Sequence, residues 1–304
     1  MAPNRFDQAC RYAAKLDAVG FLCWLLREDA VELRFRTWLD TRTLPFPGDP
    51  ERTCDTVAWL ADADPAVEWA VPVEFALEPR GEFFGRLLVY LGQLWSEIRP
   101  TEAGKERFCV GAAVVNLTGR GHTSATMSLR RTGIRTGLEV VERNLCDENA
   151  AALLDALAGG GVSRCLLPWI PMMHGGEEAG IIQRWIELAS QEANSRLRGD
   201  YGGLALVFAE AAKRLPVWKE ALKEWNVIES QQVLEWMAMG EAKGEIKGEI
   251  KLLLRALAAL CPTGVPADLE AMIRTTTSEE QLQTWFDVAL KSHSLEAFRQ
   301  ATKL

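Results

Sequence analysis

Two carboxylates, Asp55 and Glu74, stand in short runs, CDTVAW and VPVEFALEP, that read as neighbouring strands. Acids on adjacent strands are one way in which a hydrolase of phosphodiesters holds magnesium. Mg²⁺ is a hard cation that takes oxygen ligands and keeps several waters, so one or two carboxylates suffice beside the scissile phosphate. The ion neutralises developing charge and activates a water. Strand alternation sends residue 76 to the same face as Glu74. A competent site of this kind offers a lysine or glutamine there. This chain has Ala76, whose methyl group can neither orient water nor stabilise charge.

A second segment, GRGHTSATMSLRRTGIR, is rich in arginine and hydroxyl side chains and poor in acids. Arg120, Arg130 and Arg131 could grip phosphates there through charge-assisted hydrogen bonds. Other chemistries find little support. His122 and His174 are isolated, and no paired cysteines with zinc spacing accompany them. Ser124 and Ser163 lack a nucleophile-elbow setting. GAAVVNLTGRG lacks the G-K-[ST] ending of a phosphate loop.

The elements that must position these residues follow from periodicity. Residues from about 6 to 40 read as helical, with Leu16, Val19, Cys23, Leu26 and Ala30 near one face. TRTLPFPGDPERT reads as a surface loop. A strand follows at about 52–60. A second, at about 67–78, sends Trp69, Val71, Val73 and Phe75 to one face and Glu68, Ala70, Pro72, Glu74 and Ala76 to the other. Pro72 places this strand at an edge or at a local irregularity. GEFFGRLLVYLGQLWSEIR reads as a helix whose polar stripe is Arg86, Tyr90, Gln93 and Glu97. FCVGAAVVNLT, GLEVVERNL and CLLPWIPMM are further strand candidates, with a helix at about 147–158 before the last of these.

After about residue 175 amphipathic helices take over. The tandem tetrapeptide GEAK-GEIK-GEIK at 240–251 reads as an exposed helical connector or an oligomer seam. Ser278 and Gln281 form a capping box for SEEQLQTWFDVALK. The expected units are therefore residues 1–175, a helical extension over 176–239, and a connector with a helical end over 240–304.

Length and composition bound these readings. The chain has 304 residues, 48 % of them hydrophobic, enough for a sizeable core and more than one folding unit. Its net charge of −8 gives no global attraction to nucleic acid, so any DNA contact must rest on a local basic patch. Seven scattered cysteines argue against a disulfide framework and for a reducing cytoplasm. No signal peptide and no membrane span are read.

FLCWLL, RTCDTVAWL, VPVEFALEP, RLLVYL and VVNLTG succeed one another in an order that resembles the recombination-promoting nuclease (Rpn)/transposase family of the PD-(D/E)XK nuclease superfamily. The C-terminal G-E-x-K repeat leading into LLLRALAAL and IRTTTSEEQLQTWFDVALKSHSLEAF resembles the same proteins. The resemblance implies an α/β, restriction-endonuclease-like core with a mixed sheet flanked by helices, followed by an all-helical C-terminal region. It implies Mg²⁺-dependent cleavage of DNA, with Mn²⁺ as a substitute ion and Asp55 and Glu74 as ligands. The superfamily often adds an acid from its first helix, for which Asp17 and Glu28 are candidates. Arg86 and Tyr90 fall on the family-like helix and would approach the phosphate. Ala76 departs from the family pattern. Gln93 on the following helix would take over the missing role, or the protein would be a catalytically silent scaffold that binds DNA or protein. The C-terminal helices would serve a homo-oligomer.

Overall fold

A computed structural model describes residues 5–28, 32–41, 45–46, 49–53, 56–79, 81–100, 107–225, 246, 248–261, 264–276 and 278–302. Helices α1 (Arg5–Leu16) and α2 (Ala18–Leu26) open the chain. Asp17 separates them and caps α2, accepting from the Gly20 amide at 3.0 Å. Arg27 ends α2 in the left-handed region, at φ 61°. The expected helical stretch to about residue 40 therefore fails past this point, and Arg34–Leu39 forms strand β1 instead. Alternating aromatic and charged residues suit a strand pairing better than a helix face.

The chain then forms a small separate pair, β2 (Pro45–Phe46) and β3 (Asp49–Thr53), before returning to the main sheet as β4 (Val57–Ala61) and β5 (Glu68–Ala76). β1, β4 and β5 run antiparallel in succession. Helix α3 (Phe83–Glu97) follows, then β6 (Cys109–Val110) and β7 (Ala113–Asn116), both parallel to β5. A two-stranded ribbon, β8 (Ala125–Ser128) and β9 (Arg135–Leu138), precedes β10 (Val141–Asn144), which lies parallel to β7. The sheet is mixed, in the order β1-β4-β5-β7-β10 with β6 beside β5.

Pro72 sits within β5 where the sheet can accept it. The Val73 amide donates to Thr56 O at 2.8 Å, on the β4 side. The nitrogen of Pro72 faces the other side, between Ala70, which pairs with β6, and Val73, which pairs with β7. The missing N–H thus falls at the break between β6 and β7, the irregularity that the proline requires. A bulge between Phe35 and Thr37 in β1 re-aims Arg36. Its guanidinium reaches Glu68 Oε1 at 3.1 Å, and the Trp59 indole donates to Glu68 Oε2 at 2.7 Å. Glu68 is buried as a paired acid.

Both faces of β5 are covered. Phe75 lies 6.2 Å from Phe21 of α2 and 5.8 Å from Trp169, ring centre to ring centre. Trp169 belongs to Arg164–Met172, a 3-10 helix where CLLPWIPMM reads as a strand. Pro168 and Pro171 lack ladder donors, and their three-residue spacing suits the 3-10 repeat. On the opposite face Ala70 packs with Leu87, Tyr90 and Leu91 of α3.

Helices α4 (Ala150–Ala158), α5 (Ala179–Ser190), α6 (Ser195–Ala211) and α7 (Leu215–Ala221) complete this part. Asn149 caps α4, accepting from Ala152 N at 2.9 Å. From Gly199 to Ala209, α6 is buried on every side, and Phe208 lies 4.9 Å from Trp169. The chain divides into two compact units, residues 1–234 and 235–304. The switch to helix is as expected: no strand follows residue 175 among the described residues.

In the second unit, α8 (248–260), α9 (Ala267–Thr275), α10 (Glu279–Lys291) and α11 (Leu295–Thr302) enclose a small core. Leu257, Ile273, Leu282, Trp285 and Phe298 lie at its centre. Ser278 caps α10 as its sequence requires, accepting from Gln281 N at 3.3 Å. Most of the GEAK-GEIK-GEIK repeat lies outside the described residues. No described helix is long and apolar enough to cross a membrane.

Two predictions test this core. Trp169→Ala should cost about 3–5 kcal/mol, the usual loss for deleting a large buried aromatic side chain. Urea unfolding followed by tryptophan fluorescence measures it. The second concerns Tyr12, whose hydroxyl donates to the buried Asp200 at 2.8 Å. Burial, and then the bond to Asp200, push this phenol up to about 12. An unfolded tyrosine ionises near pH ~10, so between these values the unfolded state holds fewer protons. The contribution is complete below about pH 10 and is lost as pH rises through about 12. Tyr12→Phe should flatten this alkaline decline in a series of urea midpoints.

Candidate active site

Glu74 lies near the C-terminal end of β5, 7 % exposed. Its register partner in β7 is Val114, and Val114 in turn pairs with Glu142 of β10. One residue pair further on, Ala76, Asn116 and Asn144 stand side by side. Alternation puts all six on the face that α3 covers. Asp55, the acid expected to converge with Glu74, lies outside the described residues.

Helix α3 presents a different face from the expected one. Phe83, Leu87, Tyr90, Leu91 and Leu94 are buried, and Trp95 is exposed with the Arg107 guanidinium 4.1 Å from its ring centre. Tyr90 is fully buried among Val57, Ala70 and Val114, so it is a core residue and not part of a solvent stripe. Arg86 lies about two turns before Gln93 on the partly buried flank of the helix. Its guanidinium pairs with Glu82 at 3.6 Å and sits 5.4 Å from the Phe83 ring centre. Gln93 Oε1 is buried and accepts no hydrogen bond among the described residues.

The ends of the parallel strands carry a polar network that periodicity did not single out. Asn116 Nδ2 donates to Glu142 Oε1 and to Asn144 Oδ1, each at 2.8 Å. Glu142 Oε2 accepts from the Thr123 amide at 2.8 Å, and Asn144 Oδ1 accepts from the Gly121 amide at 2.9 Å. These bonds hold the loop after β7 against the strand ends. A Cβ at Gly121 would lie 2.4 Å from Asn116 Nδ2, so only glycine lets the loop approach this closely. The available signal was that AVVN and VERN each close on asparagine.

Ala76 matters in this setting. It is buried beside Asn116, whose amide hydrogens are engaged by Glu142 and Asn144. Of the acids on this sheet face, Glu68 is paired with Arg36 and Trp59, and Glu142 is held by Asn116 and Thr123. Among the described residues no group of three or more His, Cys, Asp or Glu side chains is placed to hold a metal ion.

The remaining candidates are placed elsewhere. Asp17 is a helix cap whose Oδ2 also accepts from Ser163 Oγ at 2.6 Å. Its helix packs through Phe21 against Phe75, on the face opposite Glu74. Asp17 and Glu74 are therefore not brought together on one face of the sheet. Glu28 is exposed just beyond the end of α2. Arg120 is ion-paired to Asp147 at 2.6 Å, which holds its guanidinium above its ordinary value. Arg130 and Arg131 are exposed at the turn between β8 and β9.

No protein-family model, no curated protein and no solved structure matches the chain. The site therefore stands on its own geometry.

Asn116→Ala should leave Glu142 and Asn144 short of donors and loosen the loop. Its expected cost is about 1 kcal/mol, that of weakened hydrogen bonding at part-buried acceptors. Hydrogen exchange at the Gly121 and Thr123 amides should quicken, while exchange in α6 stays slow.

Proposed function

We propose that this chain is a magnesium-dependent DNA endonuclease of the recombination-promoting kind, slowed by Ala76. The observation that carries the reading is Glu74. It is a buried carboxylate near the end of a central strand, and the helix bearing Arg86, Tyr90 and Gln93 lies over the same face. The segments that resemble the Rpn family supply these elements: VPVEFALEP contains most of β5, and RLLVYL lies within α3. A mixed sheet flanked by helices agrees with a restriction-endonuclease-like core.

In this reading Glu74 and Asp55 hold Mg²⁺, or Mn²⁺ in its place. The bound ion supplies charge neutralisation at the phosphate and an activated water. Arg86 offers a cation toward the phosphate. Gln93, whose Oε1 accepts no bond among the described residues, supplies the orienting amide that position 76 lacks.

A second reading is favoured by one feature. The polar side chains nearest Ala76 bond one another, and the methyl group gives nothing to a reacting phosphate. On that ground the protein would be a catalytically silent relative that binds DNA or protein as a scaffold.

Nicking of supercoiled plasmid by purified protein, with Mg²⁺ or Mn²⁺, separates the two. Slow nicking is expected, and Glu74→Ala should abolish it. Losing one electrostatic stabiliser of a transition state costs roughly a hundred- to a thousandfold in rate, so Ala76→Lys or Ala76→Gln should recover part of that. Gln93→Ala should slow the wild type further. Robust nicking that ignores Gln93→Ala would remove the idea of a substitute residue. No nicking by wild type or by either restored variant would leave the scaffold reading standing.

A further inference from the structure

The β8–β9 ribbon has a composition and exposure that the sheet does not explain. Residues 120–138 contain four arginines and no acid, in a chain of net charge −8. Arg120 is held by Asp147, whereas Arg130, Arg131 and Arg135 make no ion pair with any described residue. The pairing Met127↔Thr136 and the bond from Leu129 N to Ile134 O at 3.0 Å put Met127, Leu129 and Ile134 on one face of the ribbon. These three are 54 %, 58 % and 62 % exposed. Ser128, opposite Arg135, lies on the other face. The turn is shaped by Arg131 at φ 66° and Gly133 at φ 76°, and it carries Arg130 and Arg131 at its tip. An outward ribbon with a bare apolar face and unpaired cations is built to be covered.

We infer that this ribbon is a DNA-binding arm that enters the minor groove of a duplex. Arg130 and Arg131 at the tip, and Arg135 reaching round from the other face of the ribbon, meet the phosphates. Leu129 and Ile134 press against a base step and open it. The choice of DNA as the polyanion rests on the function proposed above. The chemistry of the arm points the same way: charge complementarity draws it to a polyphosphate, and Leu, Ile and Met are the apolar wedges that minor-groove proteins insert between base steps. The arm grips and bends the substrate; it does not cleave it.

The test uses the full chain in EDTA, so that binding is read whether or not the protein nicks DNA. Anisotropy of a labelled duplex of about 25 base pairs gives affinity against salt, and end-to-end energy transfer gives the bend. Each phosphate contact contributes about −0.9 to the slope of log K on log salt, so the combined variant Arg130→Ala, Arg131→Asn, Arg135→Ala should flatten it by about 2–3. Asparagine at 131 tolerates the left-handed backbone, and thermal melting confirms that the variant is folded. Leu129→Ser with Ile134→Ser should reduce the bend and leave the slope as in wild type. Arg255→Ala, an exposed arginine of the second unit, is the control and should change neither. A wild-type salt slope in the triple-arginine variant overturns the proposal. So does an unchanged bend in the double-serine variant. Arm-dependent binding to anionic phospholipid vesicles, with duplex affinity unaffected by either variant, would assign the ribbon to a membrane surface instead.

Discussion

Everything in the first unit is arranged around a strand that must be buried on both faces. β5 pairs antiparallel with β4 along one edge and parallel with β6 and β7 along the other. Its backbone donors and acceptors are used in those ladders, so side chains alone decide what covers its faces. Phe75 demands an aromatic layer, which Phe21 and Trp169 supply and Phe208 extends. Ala70, on the other face, admits α3 closely. Pro72 is tolerated because the parallel partner is interrupted where its amide hydrogen is missing.

Burial on both faces sets the conditions for every acid on β5. Glu68 would be a costly charge in that position without a partner. A bulge in β1 brings Arg36 to it, and Trp59 completes the satisfaction from β4. Glu142, two strands from Glu74, is held in the same way by Asn116 and Thr123. Glu74 stands on the same face, two residues before Ala76 and beneath α3. The alanine at 76 gives the face a small, apolar floor, and the strand-end network gives it a rigid rim.

The helices show the same division between shape and charge. α6 is buried all round, yet it carries Asp200, whose Oδ2 accepts from Tyr12. α2 and the Arg164–Met172 segment approach so closely that a Cβ at Gly20 would lie 2.3 Å from Ser163 Cβ. Asp17 and Ser163 close that contact with a hydrogen bond. An acid that the family resemblance offered as a metal ligand thus joins two helical segments. In the second unit the same division appears in simpler form: among the described residues, four short helices share an apolar core, with an Arg299–Asp268 ion pair at 2.6 Å.

Local pattern determined much of this. Alternation over 67–78 marked β5 and placed Glu74 and Ala76 on one face, because side-chain direction in a strand is a property of the backbone itself. Pro72 announced a break in pairing, and Ser278 announced a helix start, for reasons equally local. The switch to helix after residue 175 followed from periodicity. Tertiary structure decided the rest. CLLPWIPMM is apolar enough for a strand; its two prolines disfavour a ladder, and its packing against α2 and α6 gives the 3-10 helix its place. Tyr90 has a polar tip that periodicity assigns outward, and only the sheet beneath α3 turns it into core. RFRTWL became a strand because β4 offered it an edge, and the arginine-rich loop became a ribbon because its two halves pair. The Asn116–Glu142–Asn144 network joins residues 26 and 28 positions apart. Such contacts exist only once parallel strands have aligned, and no local property of the chain encodes them.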